Sequence, residues 1–341
     1  MIYKYFIVTT ASLLLSFILT PAIIKFSFRH RWFDKPNNRK VHPNPVPTIG
    51  GIGIYLSIVF SMFLVGLVDK FELITIKSLL GFILGGTVVS LLGIYDDIKT
   101  CPIFFKILLQ ILSGIILYIF GYRVTTLANP FNSLIHLGVL SFPITIIWVV
   151  LFVNAINLID GLDGLAAGIS CIVAFTFFFT SLNTGEVAAS LFALSILGGC
   201  IGFLRYNFFP AKIFMGDTGS MFLGFVLAGT ALQGAGKSVA VITTLVPLLA
   251  LGVPLTDVIL TVFRRKRRGK SIFEADKEHL HHKLLDIGFT HRESVFILYI
   301  ATALLGMVAI ALSTADRGVI TIFVLLSIMS FFILGAIIKR R

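Results

Sequence analysis

The sequence is poor in charge and in cysteine. Only 13% of its 341 residues are charged, whereas 57% are hydrophobic. The mean hydropathy is +0.99, so the soluble fold of about two domains that this length would otherwise suggest is excluded. The three cysteines show no paired spacing, which argues against a disulfide framework or a zinc knuckle. Internal repeats and low-complexity tracts are also absent from the sequence.

Long apolar runs dominate instead, and each is close to the length of a membrane span. Because only a helix satisfies its own backbone in lipid, they predict an all-α, polytopic membrane helical bundle of about 11 transmembrane helices. The predicted spans are 3–26, 49–68, 75–94, 103–120, 141–158, 165–182, 188–204, 219–236, 239–263, 294–313 and 318–338. Residues 121–140 fit a loop, a hairpin or a re-entrant segment.

Positive charge orients this bundle. With the N-terminus outside and the C-terminus cytoplasmic, most of the 28 lysines and arginines lie on the inner side, as the positive-inside rule requires. The net charge of +12 therefore indicates topology and contact with anionic membrane lipid, and it needs no nucleic-acid partner. We expect one transmembrane domain over residues 1–341. The predicted cytoplasmic loops are 27–48, 95–102, 159–164, 205–218 and 264–293.

Five aspartates lie at the predicted cytoplasmic ends of the spans. They are Asp96, Asp97, Asp160, Asp163 and Asp217. Carboxylates this close to hydrocarbon are costly unless they are paired, solvated or bound to a cation. Their shared position predicts a site for Mg²⁺, which takes oxygen ligands and keeps several waters. Taken singly, Asp163 and Asp217 fit equally well as N-caps of the helices that follow them.

The stretch NAINLIDGLDGLAAG, residues 154–168, combines amides, carboxylates and glycines at the end of a span. Its four oxygen-bearing side chains recur every three residues, at Asn154, Asn157, Asp160 and Asp163. On an ideal helix Asn154 and Asp163 would point in opposite directions. They can converge only where the helix tightens or breaks, which the glycines permit. We therefore predict a glycine-loosened turn that gathers oxygen ligands.

Two basic segments accompany these acids. The prolines of RKVHPNPVPTIGG, residues 39–51, indicate an extended loop that either binds phosphate or faces lipid. Residues 264–270 hold six lysines and arginines, which fit either bidentate phosphate contacts or a lipid-surface patch. The following HLHH, residues 279–282, lacks the spacing of a zinc site and favours hydrogen bonding to an anion or proton transfer.

In their order along the chain, five motifs resemble those of the polyprenyl-phosphate N-acetylhexosamine-1-phosphate transferases. They are PTIGG, the DD pair, NAINLIDGLDGL, FMGDTGS and the histidine segment. The resemblance covers nearly the whole length, and HLHH after RRGKSIFEAD is similar to the bacterial WecA/TagO type, which uses UDP-GlcNAc. It implies transfer of GlcNAc-1-phosphate from UDP-GlcNAc to undecaprenyl phosphate, with release of UMP and with Mg²⁺, or Mn²⁺ as a substitute.

The resemblance also implies a place and a pathway. It implies a multi-pass protein of the bacterial inner membrane with its active site on the cytoplasmic face. The reaction would be the first membrane step towards a cell-surface polysaccharide, a lipopolysaccharide or a teichoic acid. The sequence leaves open whether the protein is a homodimer, and whether transfer is direct or passes through an aspartyl-phosphate.

Residue roles follow from the resemblance by position. Asp217 is expected to be the main metal ligand, with Asn157 and Asp97 beside it. Asp96 is expected to act as a base or to position phosphate, with Asp97 in support, so that the catalytic set is Asp96, Asp97 and Asp217. Asp163 is expected to face the uracil. Together with the segment 154–163, the resemblance gives these further substrate-binding candidates: Lys40, Thr48, Asn154, Asn157, Asp160, Arg264, Arg265, His279, His281 and His282.

Three alternatives remain at this point. The donor could be another UDP-N-acetylhexosamine, including UDP-MurNAc-pentapeptide, although the enzymes that use it carry a different histidine triplet. A cation-coupled transporter would place its acids near the midplane in broken helices, whereas these acids lie at span ends. A noncatalytic lipid-binding protein would have no need for clustered acids.

Overall fold

The computed structural model describes residues 1–34, 45–128, 134–233, 240–268 and 279–314. Lys40 and the predicted span 318–338 lie outside the described residues. The helices in the described part are α1 Ile2–His30, α2 Gly51–Val68, α3 Ile76–Ile98, α4 Ile103–Ile119, α5 Ser141–Ile159, α6 Leu165–Thr184, α7 Val187–Asn207, α8 Gly216–Gln233, α9 Ala240–Ala250, α10 Gly252–Arg267, α11 Leu280–Asp286 and α12 His291–Thr314. Two antiparallel hairpins pair β1 Phe33–Asp34 with β2 Val46–Pro47, and β3 Thr126–Ala128 with β4 Leu134–His136.

Seven of the described helical segments are long and apolar enough to cross a membrane. They are α1, α2, α3, α5 with the 3-10 turn before it, α6, α7 and α12, and α4 is a shorter apolar helix. Their outer faces expose large apolar side chains, such as Phe6 at 69% and Phe104 at 80%, which suits contact with lipid. The predicted all-α, multi-pass membrane fold is confirmed. The full helix count and the orientation of the termini remain predictions.

Helix α8 forms the centre of the bundle. Every residue from Thr218 to Leu232 is buried, and the helix packs against α2, α3 and α5. Its sequence is less apolar than the spans around it but rich in glycine, alanine, serine and threonine. Small residues let helices approach closely where hydrophobic burial cannot drive association. The most deeply buried helix is therefore distinguished by its small side chains rather than by high hydropathy.

The predicted single span 239–263 is wrong, because α9 and α10 are separate helices with Leu251 between them. The last helical hydrogen bond of α9 runs from the N–H of Leu251 to the carbonyl of Pro247, at 3.0 Å. Pro254 then has no N–H to offer to Ala250, so the helical hydrogen-bond ladder cannot continue through this point. The break places the second half of the predicted span in a helix that ends with the arginines.

Two other boundaries matter for the site. Residues 121–140, for which three conformations were open, contain the β3–β4 hairpin and the 3-10 turn Gly138–Leu140, so the hairpin is correct. Helix α3 continues through Asp96 and Asp97 to Ile98, so both aspartates lie in its last turn rather than in a loop that begins at residue 95. The single domain over 1–341 remains a prediction.

Candidate active site

Helix ends from distant parts of the sequence meet at one end of the bundle. Asp217, in the first turn of α8, accepts a hydrogen bond at Oδ1 from Nδ2 of Asn157 at 2.9 Å. Its Oδ2 accepts from Nζ of Lys106 at 2.9 Å, and the same Nζ lies 2.6 Å from Oδ2 of Asp96. The carboxylates of α3 and α8 therefore share one lysine, with the α5 amide beside them.

Asp97 caps the N-terminus of α8 from the last turn of α3. Its Oδ1 accepts the backbone N–H of Asp217 at 2.8 Å, and its Oδ2 accepts the N–H and the hydroxyl of Thr218 at 3.1 and 2.6 Å. Free N–H groups at a helix start favour a carboxylate. The capping role that the sequence allowed for Asp217 thus belongs to Asp97, which leaves the side chain of Asp217 for other contacts.

Lys106 was missing from the predicted site. It lies in the first turn of the apolar helix α4, and from the sequence it counted only as an inner-side positive charge. A charged side chain inside an apolar segment is costly unless it has a partner, and that signal could have identified it. Asp96, which binds Lys106, also accepts the backbone N–H of Cys101 at 2.6 Å, so the start of α4 is held to the end of α3.

The loop before α2 docks on the segment before α8. Phe214 donates its N–H to the carbonyl of Pro47 at 2.8 Å, and Gly51 donates to the carbonyl of Met215 at 2.9 Å. Gly216 has a φ of +68°, and a Cβ at this position would lie 2.1 Å from the carbonyl oxygen of Thr48, so only glycine fits. This contact brings Thr48, a predicted substrate-binding residue, to the acid cluster.

The chain leaves helical geometry after Ile159, as predicted for this glycine-rich segment. Gly164 has a φ of +79°, and its N–H donates to Oδ1 of Asn207 at 3.1 Å. Asp163 instead accepts the N–H of Ala211 at 2.9 Å, so it does not cap α6. The turn between α5 and α6 is therefore fixed to the segment that leads into α8.

A cavity of about 730 Å³ opens at this end of the bundle, a volume typical of ligand pockets. Its lining includes these predicted site residues: Thr48, Asp97, Asn157, Asp160, Asp163 and Asp217. Asp34, Phe209 and His291 also line it and were not predicted. Among the described residues that line this cavity Asn154 is not found. Its Nδ2 donates to Oε1 of Gln110 and to the carbonyl of Val150, each at 2.7 Å.

One acid on the cavity wall, Asp160, lacks a compensating charge among the described residues. Removal from water raises the pKa of Asp160 well above its usual range, and the charges of Asp217, Asp97 and Asp163 raise it further. Burial and repulsion both disfavour the charged form of a carboxyl group. The cluster would therefore be stabilised by an added cation.

The histidine segment packs on the turn between α5 and α6. A Cβ on Gly161 would lie 2.2 Å from Nε2 of His281, so the imidazole occupies the space that a side chain would need. Burial, together with the neighbouring His282 and His279, lowers the pKa of His281 to about 4. The His281 and His282 rings lie 4.3 Å apart. The predicted histidines therefore lie together, against a residue of the cavity wall.

Helix α10 brings the arginines and one further acid to this segment. Arg264 and Arg265 lie in its last turn, and Nη2 of Arg264 donates to the hydroxyl of Thr261 at 3.1 Å. Asp257, one turn before Thr261, is 1% exposed and lies 2.9 Å from Nδ1 of His279. Asp257 was not among the predicted site residues because it lies inside an apolar run.

Comparison with known proteins agrees with this arrangement. The profile of glycosyl transferase family 4 matches residues 79–235, which run from α3 through α8. The chain is 36% identical over 321 residues to the probable undecaprenyl-phosphate N-acetylglucosaminyl 1-phosphate transferase of Bacillus subtilis, covering 93% of this chain and 88% of that protein. The chain belongs to glycosyl transferase family 4.

Other relatives carry related names. The decaprenyl-phosphate N-acetylglucosaminephosphotransferase of Mycobacterium tuberculosis is 34% identical over 289 residues, covering 78% of this chain and 72% of that protein. The undecaprenyl-phosphate alpha-N-acetylglucosaminyl 1-phosphate transferase of Escherichia coli is 28% identical over 313 residues, covering 90% and 83%. The predicted resemblance to the polyprenyl-phosphate sugar-1-phosphate transferases is confirmed.

The donor set of this family 4 chain fits Mg²⁺ bound together with a phosphate ligand. Among the described residues, no group of three or more His, Cys, Asp or Glu side chains could hold a metal ion. Mg²⁺, however, is usually held by one or two carboxylates, with waters and substrate phosphates as the other ligands. Asp217 and the amide oxygen of Asn157 are hard oxygen donors on the cavity wall. The raised pKa of Asp160 agrees with a cluster that is short of positive charge.

Proposed function

We propose that this protein transfers GlcNAc-1-phosphate from UDP-GlcNAc to undecaprenyl phosphate, giving undecaprenyl-diphosphate-GlcNAc and UMP. The observation that carries the proposal is the cluster of Asp96, Lys106, Asp217 and Asn157 beside a large cavity at one end of an apolar helical bundle. The names of the relatives supply the polyprenyl phosphate and the N-acetylglucosaminyl 1-phosphate group. We place the protein in the bacterial inner membrane with the cavity on the cytoplasmic side, as the distribution of lysine and arginine along the sequence predicts.

The reaction joins two anions. An oxygen of the lipid phosphate forms a bond to the phosphorus that carries the sugar, while the bond from that phosphorus to the bridging oxygen breaks and UMP leaves. Such phosphoryl transfers depend mainly on positioning and on stabilisation of the developing charge. An aqueous nucleotide sugar and a lipid acceptor can meet only at the membrane surface, where this cavity lies in our proposal.

The side chains divide these tasks. Asp96 is our candidate for removing the last proton from the lipid phosphate, since a well-placed carboxylate can act as a general base. The ammonium group of Lys106 orients Asp96 and Asp217 and adds positive charge next to the reacting phosphates. Asp217 and Asn157 would hold Mg²⁺, with Asp97 fixing Asp217 through α8. When bound, the ion would neutralise charge on the diphosphate.

The remaining candidates would bind the donor. Asp163 has an acceptor oxygen for the uracil N–H besides the one bonded to Ala211. Arg264 and Arg265 would contact the diphosphate, since arginine binds phosphate in bidentate fashion. The histidine segment would contact the sugar phosphate.

The proposal is tested with purified protein in detergent. We expect UMP release from UDP-GlcNAc only when undecaprenyl phosphate and Mg²⁺ are both present, and loss of release after EDTA. Asp217→Asn should abolish release while the protein remains monodisperse. A panel that includes UDP-MurNAc-pentapeptide tests the donor: release from that donor alone would refute the sugar assignment. Absence of UMP with every donor would contradict the reaction class.

A further inference from the structure

A buried carboxylate outside the acid cluster organises the histidine segment. Asp257 of α10 is 1% exposed, and both of its oxygens are used. Oδ2 lies 2.9 Å from Nδ1 of His279, and Oδ1 accepts the backbone N–H of Leu280 at 2.9 Å. A carboxylate is rarely kept in such a place unless its contacts serve the protein.

The first contact fixes the chemistry of the imidazole ring. An ionised carboxylate can only accept hydrogen bonds, so Nδ1 of His279 must carry the proton. In a neutral ring Nε2 is then an acceptor, because a histidine's tautomer is set by the bond that its other nitrogen makes. Within the described residues, Nε2 of His279 has no hydrogen-bond partner.

The ring also has a fixed place, one imidazole away from the wall of the cavity. His279 is 7% exposed, and its ring is nearly parallel to that of His281, with an interplanar angle of 7° and centroids 5.8 Å apart. His281 in turn lies against Gly161, which lines the cavity. Asp257 therefore orients the inner end of a row of imidazoles that reaches the cavity wall.

We propose that Asp257 is a positioning residue for the transfer reaction: it holds His279 with Nδ1 protonated, so that Nε2 accepts an O–H group of a substrate. This inference rests on the proposed function. Two O–H groups have the required chemistry: a hydroxyl of the donor sugar or, if His279 takes the place of Asp96 as the acceptor, the last proton of the lipid phosphate. Asp257 itself acts only through His279.

The variant Asp257→Asn separates positioning from support of the fold. The N–H of Leu280 needs an acceptor, so the amide oxygen should turn towards it, and the amide NH₂ then faces Nδ1. That nitrogen must now accept, and the ring proton moves to Nε2. Both hydrogen bonds persist and the volume is unchanged, so the fold should be kept while the tautomer is reversed.

The experiment uses the full-length protein in detergent with ¹⁵N-labelled histidine. The protein has seven histidines, and loss of one signal set in His279→Gln identifies the ring of interest. We expect Nδ1–H in the parent protein and Nε2–H in Asp257→Asn. UMP release should fall about 10- to 100-fold, by analogy with the hydrogen-bond partners of metal-ligating histidines. A rise in KM for UDP-GlcNAc assigns the contact to the sugar, whereas a fall in kcat with a changed pH profile assigns it to the lipid phosphate.

Controls keep the outcomes distinct. Ser294→Ala removes a buried hydroxyl of α12 that has no hydrogen-bond partner among the described residues, and it should behave like the parent. Full activity of Asp257→Asn, or Nε2–H in the parent protein, would overturn the inference. The inference would also be overturned if Asp257→Asn lost activity only because it unfolds at lower temperature, with the tautomer of His279 unchanged. If the parent releases no UMP, the proposed function fails, and the NMR result still decides whether Asp257 sets the tautomer.

Discussion

The contacts of Asp97 and Asp217 predict that the two aspartates fail in different ways when neutralised. In the parent protein, three donors at the start of α8 bind the two carboxylate oxygens of Asp97. In Asp97→Asn, a single amide oxygen must accept in their place. At least one N–H or hydroxyl loses its acceptor, which costs about 1–3 kcal/mol in a buried site. Loss of the negative charge at the helix N-terminus costs a further ~0.3–2 kcal/mol.

Two effects oppose this loss. The variant also removes the cost of burying a charge and the repulsion between Asp97 and Asp217, so we take the lower part of the combined range, about 2 kcal/mol of unfolding free energy. At about 2.1 cal/mol/K of unfolding entropy per residue, each kcal/mol shifts the midpoint of this 341-residue chain by about 1.4 °C, so a fall of about 3 °C is expected. Thermal unfolding of the purified protein in detergent, followed by intrinsic fluorescence, measures this shift.

Asp217→Asn is the matched comparison. Its amide oxygen can still accept from Asn157, and Lys106 keeps its ion pair with Asp96. We therefore expect a change below about 1 kcal/mol, as for a partly exposed ion pair, together with loss of UMP release. Equal midpoints for Asp97→Asn and the parent would refute the capping role. An Asp217→Asn protein that unfolds as early as Asp97→Asn would refute the division of roles.

Three further predictions follow from the same contacts. Lys106→Met should lower UMP release at least about 100-fold, the usual cost of a lost charge-stabilising donor, while exposed Lys99→Met, assayed in parallel, should match the parent. Gly161→Ala should lower the rate of UMP release because its Cβ meets His281. In a His281→Ala background, Gly161→Ala should cause no further fall in that rate. The pKa of His281 is about 4 in the folded protein and about 6.5 in the unfolded chain. The neutral imidazole therefore contributes fully to the unfolding free energy above pH 6.5, and this contribution is lost as pH falls towards 4. Between pH 7 and 5 the parent should therefore lose about 2 kcal/mol more unfolding free energy than His281→Phe in chemical denaturation.

Polar positions in an apolar sequence predicted the centre of the site well. Asp96, Asp97, Asn157 and Asp217 lie at helix ends, and helix ends on one side of a membrane must lie near one plane. Topology alone therefore brought them to one level of the bundle. Which of them would touch could not be derived, since helix rotation and packing order depend on small-residue contacts such as those of α8.

The missed and misplaced residues have identifiable physical reasons. Lys106 and Asp257 lie within the predicted apolar spans 103–120 and 239–263, outside the polar motifs between the spans. Asn154 lies one turn earlier on α5 than Asn157, and there its amide meets Gln110 of α4 instead of the cavity. The break at Leu251 was signalled by two prolines, but a proline inside an apolar run also occurs in unbroken membrane helices, such as Pro21 in α1.

The charge balance at the end of α8 explains why a dense set of acids can exist in this protein. Asp97 is compensated by the N-terminal N–H groups of a helix, and Asp96 and Asp217 share one lysine. Asp160 has neither kind of partner in the described residues, and burial raises its pKa well above the usual range. Stability of the protein alone would favour replacing Asp160 by a neutral residue. Its place on the cavity wall instead suits a site whose occupants bring positive charge with them, as a Mg²⁺–diphosphate ligand does in the proposed reaction.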